Sequence, residues 1–188
     1  MKPTLQHLRE LWTPTWSDEH PAVFAAQVRA LNVGTRTGLP FGALIALFLI
    51  GGLWGSIDAV TLVAWYTALL AVTGLRLMVR SRTPTPVAVD HIQTLRAYRM
   101  VAVGVLAAGV VWGSAGLLLF VPDSHEKHLF LALVLAGICS GAAGTVGARL
   151  ELATSFVALT LAPFMVRLTF DRGMHDSDDP LLIALVAL

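Results

Sequence analysis

The side chains with the clearest chemical potential are two arginines and two tryptophans in or beside long apolar runs. Arg76 and Arg149 would carry charge into an apolar environment, which suggests a binding function unless the charge reaches the interface or a partner. Trp65 and Trp112 bring indole N–H groups that need an acceptor when buried. Each has a structural alternative. The arginines can extend to the lipid headgroups, Arg149 can pair with Glu151, and the tryptophans can pack against a backbone carbonyl.

A run of small residues in a later apolar stretch is the second unusual feature. Small residues four positions apart leave a flat surface where another helix can approach closely. Gly109 and Gly113 have this spacing in the preceding apolar run. The run itself predicts a helix-packing face, or alternatively a pocket wall or a pivot for helix movement. Its candidate residues are Gly137, Ser140, Gly141 and Gly144.

The patterns that catalytic and cofactor sites require do not occur in the sequence. A membrane haem held by two histidines needs both inside facing helices, and no apolar run has an interior histidine. His125, His128 and His175 lie in or beside loops, which predicts solvated side chains rather than a metal site. There is no phosphate-binding glycine loop, serine nucleophile elbow or HExxH motif, and no carboxylate lies inside an apolar run, which argues against ion-coupled transport. We therefore expect no catalytic residue, metal or cofactor.

The composition indicates a membrane protein. Of 188 residues, 56% are hydrophobic and 13% are charged, whereas soluble domains carry about 25% charged residues. The mean hydropathy is +0.73, and the net charge of +1 gives no indication of nucleic-acid binding. A helix needs about 20 apolar residues to cross the hydrocarbon, and continuous apolar runs favour helices over barrel strands. The sequence predicts an all-α polytopic membrane bundle of six transmembrane helices, near 37–57, 59–79, 100–121, 128–148, 152–170 and 180–188, the last one truncated.

Charges in the connecting segments predict the orientation. Most lysines and arginines fall in the N-terminal segment and in every second connecting segment after it. The connecting segments between these are acidic and include Asp58, Asp123 and Asp171. Basic segments remain on the cytoplasmic side of a membrane. The N-terminus is therefore predicted to be cytoplasmic, and the acidic loops are predicted to lie outside.

Residues 1–36 form a separate segment ahead of the spans. Proline is favoured in the first turn of a helix, so we expect a helix from near Pro21 with Val23, Phe24, Val28 and Leu31 on one apolar face. Such amphipathic helices lie on the inner leaflet or pack beneath the bundle.

Motifs spread over the predicted spans carry a family resemblance. They are an arginine at the end of the second span, Val111-Trp112-Gly113, Val121-Pro122-Asp123, Leu133 to Gly137, Gly141-Ala142 and Ala162-Pro163. From about residue 30 to 188, the chain resembles the six-helix N-terminal membrane sensor region of bacterial sensor histidine kinases and GGDEF-type diguanylate cyclases. The resemblance implies the bacterial inner membrane, a homodimer, and a C-terminal cytoplasmic kinase or cyclase whose motifs this chain does not contain.

We therefore expect a membrane-embedded sensory input module. The predicted outer loops are too short for a sensing domain, so the signal would be met within the bilayer or at its outer face, as a lipophilic molecule, a lipid or a membrane property. Binding would shift helix packing around the fourth span, and bulky residues at Gly141 or Gly144 would change the output. The alternatives are a small membrane transporter and a passive membrane anchor.

Overall fold

The computed structural model describes residues 21–82, 91–122 and 124–175, and this part of the chain folds into five long α-helices without a β-strand. The predicted span at 180–188 and the segment before residue 21 lie outside the described residues. The helices are α1 (Pro21–Leu53), α2 (Ala59–Arg82), α3 (His91–Leu118), α4 (His125–Val146) and α5 (Leu150–His175).

Four of these helices are long and apolar enough to cross a membrane. The all-α class is therefore confirmed for the described residues, and four of the predicted spans coincide with helices that could cross a membrane, although these helices are longer than the apolar runs that predicted them. In α1, the apolar stretch Pro40–Leu53 is shorter than the others. The candidate spans are Ala59–Val79, Ile92–Leu118, His125–Val146 and Leu150–Asp171.

The first helix differs from the prediction. The sequence divides this region into an interfacial helix and a span beginning at residue 37, but α1 is one continuous helix from Pro21. Arg29 and Arg36 suggested the boundary, yet charged side chains do not end a helix. The helix ends at Leu53, earlier than predicted, because Gly55 adopts a φ of +80°, which glycine tolerates without steric cost, and turns the chain toward α2.

The helices alternate in direction and form a bundle with chemically different ends. α3 packs most extensively on α5, α1 packs mainly on α4, and α2 packs on α3 and to a smaller extent on α1. We call the two ends the basic end and the acidic end. The basic end carries Arg29, Arg96, Arg99 and Arg149, and the acidic end carries Asp58, Glu126 and Asp171.

The outer faces of the helices are apolar. Val60 and Leu133 are each 73% exposed, and Phe170 is 70% exposed. A bilayer would cover such side chains, whereas a soluble monomer rarely exposes large continuous apolar surfaces. The exposed surface therefore agrees with the membrane location that helix length and composition indicate.

Candidate functional site

A cavity of about 320 Å³ lies among α1, α2, α3 and α4, and Phe156 of α5 contributes to its wall. Its volume falls within the range of small-molecule sites, roughly 300–1,000 Å³. Most of the lining is apolar, with Thr73, Arg76 and Thr145 as the polar exceptions together with the indole of Trp112. The cavity is therefore suited to a mainly apolar ligand with a polar group at a defined position.

Each lining helix contributes one of its faces. Residues three, four and seven positions apart lie on the same side of a helix, and the cavity-lining residues of α2 follow this spacing. On α4, the lining includes two glycines four positions apart, which leave room beside the backbone. These residues are Leu69, Val72, Thr73 and Arg76 on α2, and Gly137 and Gly141 on α4.

The glycine-rich face of α4 is open. A Cβ atom added to Gly137, Gly141 or Gly144 would meet no heavy atom within 4 Å. Gly137 and Gly141 line the cavity, whereas Gly144 and Ser140 are exposed outside it, and the Ser140 hydroxyl donates to the Ala136 carbonyl at 3.0 Å. No described helix packs against this face. The structure thus places two of the four predicted small residues in a pocket wall.

The close helix contacts involve the glycines of α3. A Cβ atom on Gly113 would overlap the Leu159 carbonyl oxygen, and one on Gly116 would lie 2.7 Å from the Phe164 Cβ. At Gly109, the added atom would be 3.2 Å from the Leu159 Cβ. The packing surface that the spacing of Gly109 and Gly113 predicts is therefore the interface between α3 and α5.

Contacts between α1 and α4 lie on both sides of the cavity. Gly34 and Gly38 approach Thr145 near the basic end, where a Cβ on Gly38 would be 3.2 Å from the Thr145 Cγ2. Near the acidic end, Gly52 faces the ring of Phe130. Sequence reasoning did not single out these α1 glycines, although Gly34 and Gly38 have the four-residue spacing that would have identified them.

Trp65 and Trp112 are buried where α2 packs on α3. The Trp65 Nε1 donates to the Val111 carbonyl oxygen at 3.0 Å. The two indole rings meet edge to face, with centroids 5.5 Å apart, an arrangement favoured by aromatic quadrupoles. Trp65 therefore has the carbonyl partner that the packing alternative requires, and Trp112 lines the cavity.

Arg76 brings a charge into the cavity lining. Its side chain lies across α3 at Gly104, where an added Cβ would be 2.9 Å from the guanidinium Nε. No hydrogen bond or ion pair of Arg76 is found among the described residues. Because a charge in an apolar lining is costly without a partner, lipid, water or a bound ligand is left to supply one.

Arg149 lies outside the cavity, at the basic end of the bundle. Its side chain is 2% exposed, and its Nε lies 3.4 Å from the Glu151 Oε2, which confirms the predicted pairing. The guanidinium carbon is 5.5 Å from the Phe24 ring centroid and 5.0 Å from that of Tyr98, within cation–π range. Arg149 thus joins α1, α3 and the turn between α4 and α5.

The histidines of the acidic end differ from the prediction. His128 is buried, because α4 already begins at His125 and its first turn carries the ring inward. Its Nε2 lies 2.7 Å from the Val121 carbonyl oxygen, and its ring stacks on Phe120 with centroids 4.1 Å apart. The prediction of a solvated side chain is therefore wrong for His128. The His175 side chain lies outside the described part of the chain. Among the residues that are described, no group of three or more His, Cys, Asp and Glu could hold a metal ion.

No protein-family model, curated protein or solved structure matches this chain. The resemblance to bacterial sensor regions therefore stays a prediction that rests on the motifs quoted for it. A function has to be inferred from the cavity, its charged lining residue and the membrane character of the helices.

Proposed function

We propose that the chain is the membrane-embedded sensory input module of a bacterial signal-transduction protein in the inner membrane. In this proposal it controls a C-terminal cytoplasmic kinase or cyclase that acts as a homodimer. The observation that carries the proposal is the cavity of about 320 Å³ among apolar helices. A lipophilic signal that enters such a cavity can influence the packing of several helices at once.

The surroundings of the cavity support a change of helix packing on binding. A ligand shifts a conformational equilibrium only through different affinities for the two states. Here the ligand would touch α1, α2, α3 and α4 together, so it would favour the arrangement that fits it best. The open glycine face of α4 offers room for such a movement, whereas α3 and α5 are held in close contact.

The topology in this proposal has six spans with the basic end in the cytoplasm. Arg29, Arg96 and Arg99 are exposed at the basic end, and Asp58 and Glu126 are exposed at the acidic end. Positive residues are enriched in the cytoplasmic segments of membrane proteins. A sixth span after α5 would return the chain to the cytoplasm, where the effector would follow.

The test compares two substitutions on one helix in the full-length protein. In Gly141→Leu the new side chain enters the cavity, whereas in Gly144→Leu it points outside, and neither position has an atom within 4 Å of an added Cβ. We expect the first variant to change kinase or cyclase output several-fold. The sequence predicted a similar effect at Gly144, but this residue lies outside the cavity, so the second variant should retain wild-type output. Normal expression with unchanged output in Gly141→Leu would contradict the proposal.

A small transporter is the second candidate, since the cavity would also accommodate a transported solute. The carboxylates of the described spans lie in first or last turns, as Glu126, Glu151 and Asp171 do, and ion-coupled transporters usually carry one deeper in the membrane. Solute uptake into proteoliposomes would favour this candidate. A passive anchor is tested by replacing the module with an unrelated six-span protein, because an anchor would leave regulation intact.

A further inference from the structure

We propose that the cavity binds an anionic amphiphile, whose carboxylate or phosphate head pairs with Arg76 and whose apolar chain extends toward Trp112. The inference rests on the proposed function, because it names the chemical class of the signal that the same cavity would detect. It depends on three features of the site: the position of the charge, the apolar lining beyond it, and the open rim.

The position of Arg76 supports an anionic head. Arg76 lines the cavity, and no ion pair or hydrogen bond of Arg76 occurs among the described residues. Gly104 lets the arginine stem lie flat against α3, since a Cβ there would be 2.9 Å from the Nε and 3.1 Å from the Cγ. A guanidinium held in this way can bind a carboxylate or a phosphate through two parallel hydrogen bonds. An anion would therefore satisfy a charge that is costly in an apolar site.

The lining beyond Arg76 supports a single apolar chain. Along α2 the cavity extends from Arg76 to Leu69, about 10 Å at the rise of an α-helix. Trp112 lies eight residues, about 12 Å, along α3 from Gly104, which Arg76 contacts. Ile45 and Ile138 also line the cavity, and none of these three residues carries a charge. A ligand with charge at both ends would leave one charge without a partner there. The lining thus favours an amphiphile with its only charge at the Arg76 end.

The rim of the cavity supports entry from the bilayer. Phe41 lines the cavity and is 65% exposed, whereas Trp112, which also lines it, is 5% exposed. Gly137 and Gly141 are also exposed, so one side of the cavity is open beside α1 and α4. In a membrane this side faces lipid, from which an amphiphile can enter without crossing water.

The binding experiment uses the full-length protein in nanodiscs of zwitterionic lipid, with radiolabelled laurate as the probe. Dodecanol and dodecyltrimethylammonium have the same chain with a neutral and a positive head. We expect saturable laurate binding that is at least about tenfold tighter than binding of either control, the effect of one charge-assisted pair. A second arm uses nanodiscs that contain phosphatidylglycerol: weaker apparent laurate binding there identifies a lipid phosphate as a competing head, and unchanged binding favours a free carboxylate.

Two pairs of variants locate the ligand. Arg76→Gln should weaken laurate binding about tenfold or more, Arg76→Lys should restore part of it, and Arg99→Gln, at an exposed arginine outside the cavity, should have no effect. Gly141→Leu should reduce the binding of laurate by occupying the space of its chain, whereas Gly144→Leu should not. Size-exclusion profiles that match the wild type show that each variant is folded.

Equal affinities for laurate and dodecanol, or wild-type laurate binding by Arg76→Gln, would overturn the inference. Absence of saturable binding would overturn it as well, which is the result expected if another helix or a second copy of the chain fills the cavity. The proposed function fails separately: loss of laurate binding in Arg76→Gln without any change in effector output contradicts sensing but not the ligand class. Altered output in Gly141→Leu, together with no saturable laurate binding by the wild-type protein, contradicts the ligand class alone.

Discussion

The glycines of α3 and those of α4 share one sequence pattern and have opposite surroundings. Gly109 and Gly113 are four positions apart in α3, and both face α5 at a distance that leaves no room for a side chain on Gly113. Gly137 and Gly141 have the same spacing in α4, and both face open space. The pattern therefore identifies a surface that permits close approach, but it does not tell whether a helix occupies that surface.

This difference divides the bundle into a fixed pair and an open groove. In the α3–α5 pair, glycines of α3 lie against backbone atoms of α5, so a change of side-chain rotamers could not make room for a larger residue there. The α4 face borders the cavity, so a ligand can replace the missing helix contact there. We infer that substitutions in the two sets of glycines will act on different properties, stability in α3 and binding or signalling in α4.

The largest effect on stability is expected for Gly113→Ala. The new methyl group would collide with the Leu159 carbonyl oxygen, so α3 and α5 must separate, at a cost of roughly 1–3 kcal/mol. Gly137→Ala is the matched control and should be neutral or gain up to about 1 kcal/mol from helix propensity. Thermal unfolding of the purified proteins in detergent measures both. Equal midpoints for the two variants would remove the distinction between the packed and the open glycines.

A smaller loss is expected for Arg149→Gln at the basic end. Arg149 lies in the turn between α4 and α5 and contacts Phe24 of α1 and Tyr98 of α3. It therefore fixes the end of α4, even though the glycine face of this helix is open. Losing these contacts should cost about 1–2 kcal/mol, measured in the same assay. Arg99→Gln, at an exposed arginine, is the control. If both variants unfold at the same temperature, Arg149 does not hold the helices together.

Trp65→Phe tests the buried contact between α2 and α3. The substitution removes the donor to the Val111 carbonyl oxygen and should lower the free energy of unfolding by about 0.5–1.5 kcal/mol. Trp54→Phe is the control, because Trp54 is 62% exposed at the end of α1. A larger effect from Trp54→Phe than from Trp65→Phe would show that the buried contact between α2 and α3 does not contribute to stability.

The smallest effect on stability is expected for Gly141→Leu. The added side chain meets no atom within 4 Å of its Cβ, so the free energy of unfolding should fall by no more than about 0.5 kcal/mol. A strong destabilisation would show that the α4 face is packed in the intact protein, against a segment beyond the described residues or against a second chain.

The helices could be predicted from the sequence because their signal is local. Apolar runs of sufficient length indicated α2 to α5, and the charged residues that flank these runs set most boundaries to within a few residues. The exception is the start of α3, which begins at His91 rather than near residue 100. The start of a helix near Pro21 was predicted, but its continuation into the first span was missed, because Arg29 and Arg36 mark a change of environment rather than the end of a helix. Its end at Leu53 depends on the positive φ of Gly55, which composition does not reveal.

The candidate site was only partly predictable, because a cavity is defined by the spacing between helices. Trp112, Gly137 and Gly141 were recognised as unusual in an apolar run, and they do line the cavity. The roles of Thr73 and Gly38 follow from which faces of α2 and α1 turn inward, and this depends on pairwise packing that the sequence does not encode locally. The pairing of Arg149 with Glu151 was predictable because the two residues are only two positions apart in the sequence.

A density map of the full-length protein in lipid nanodiscs tests the proposed sensory cavity most directly. We predict an elongated non-protein density among α1, α2 and α4, with one end at the Arg76 guanidinium and the other beside Trp112. A cavity filled by protein side chains or by another helix, with Arg76 directed to the membrane surface, would contradict the proposal.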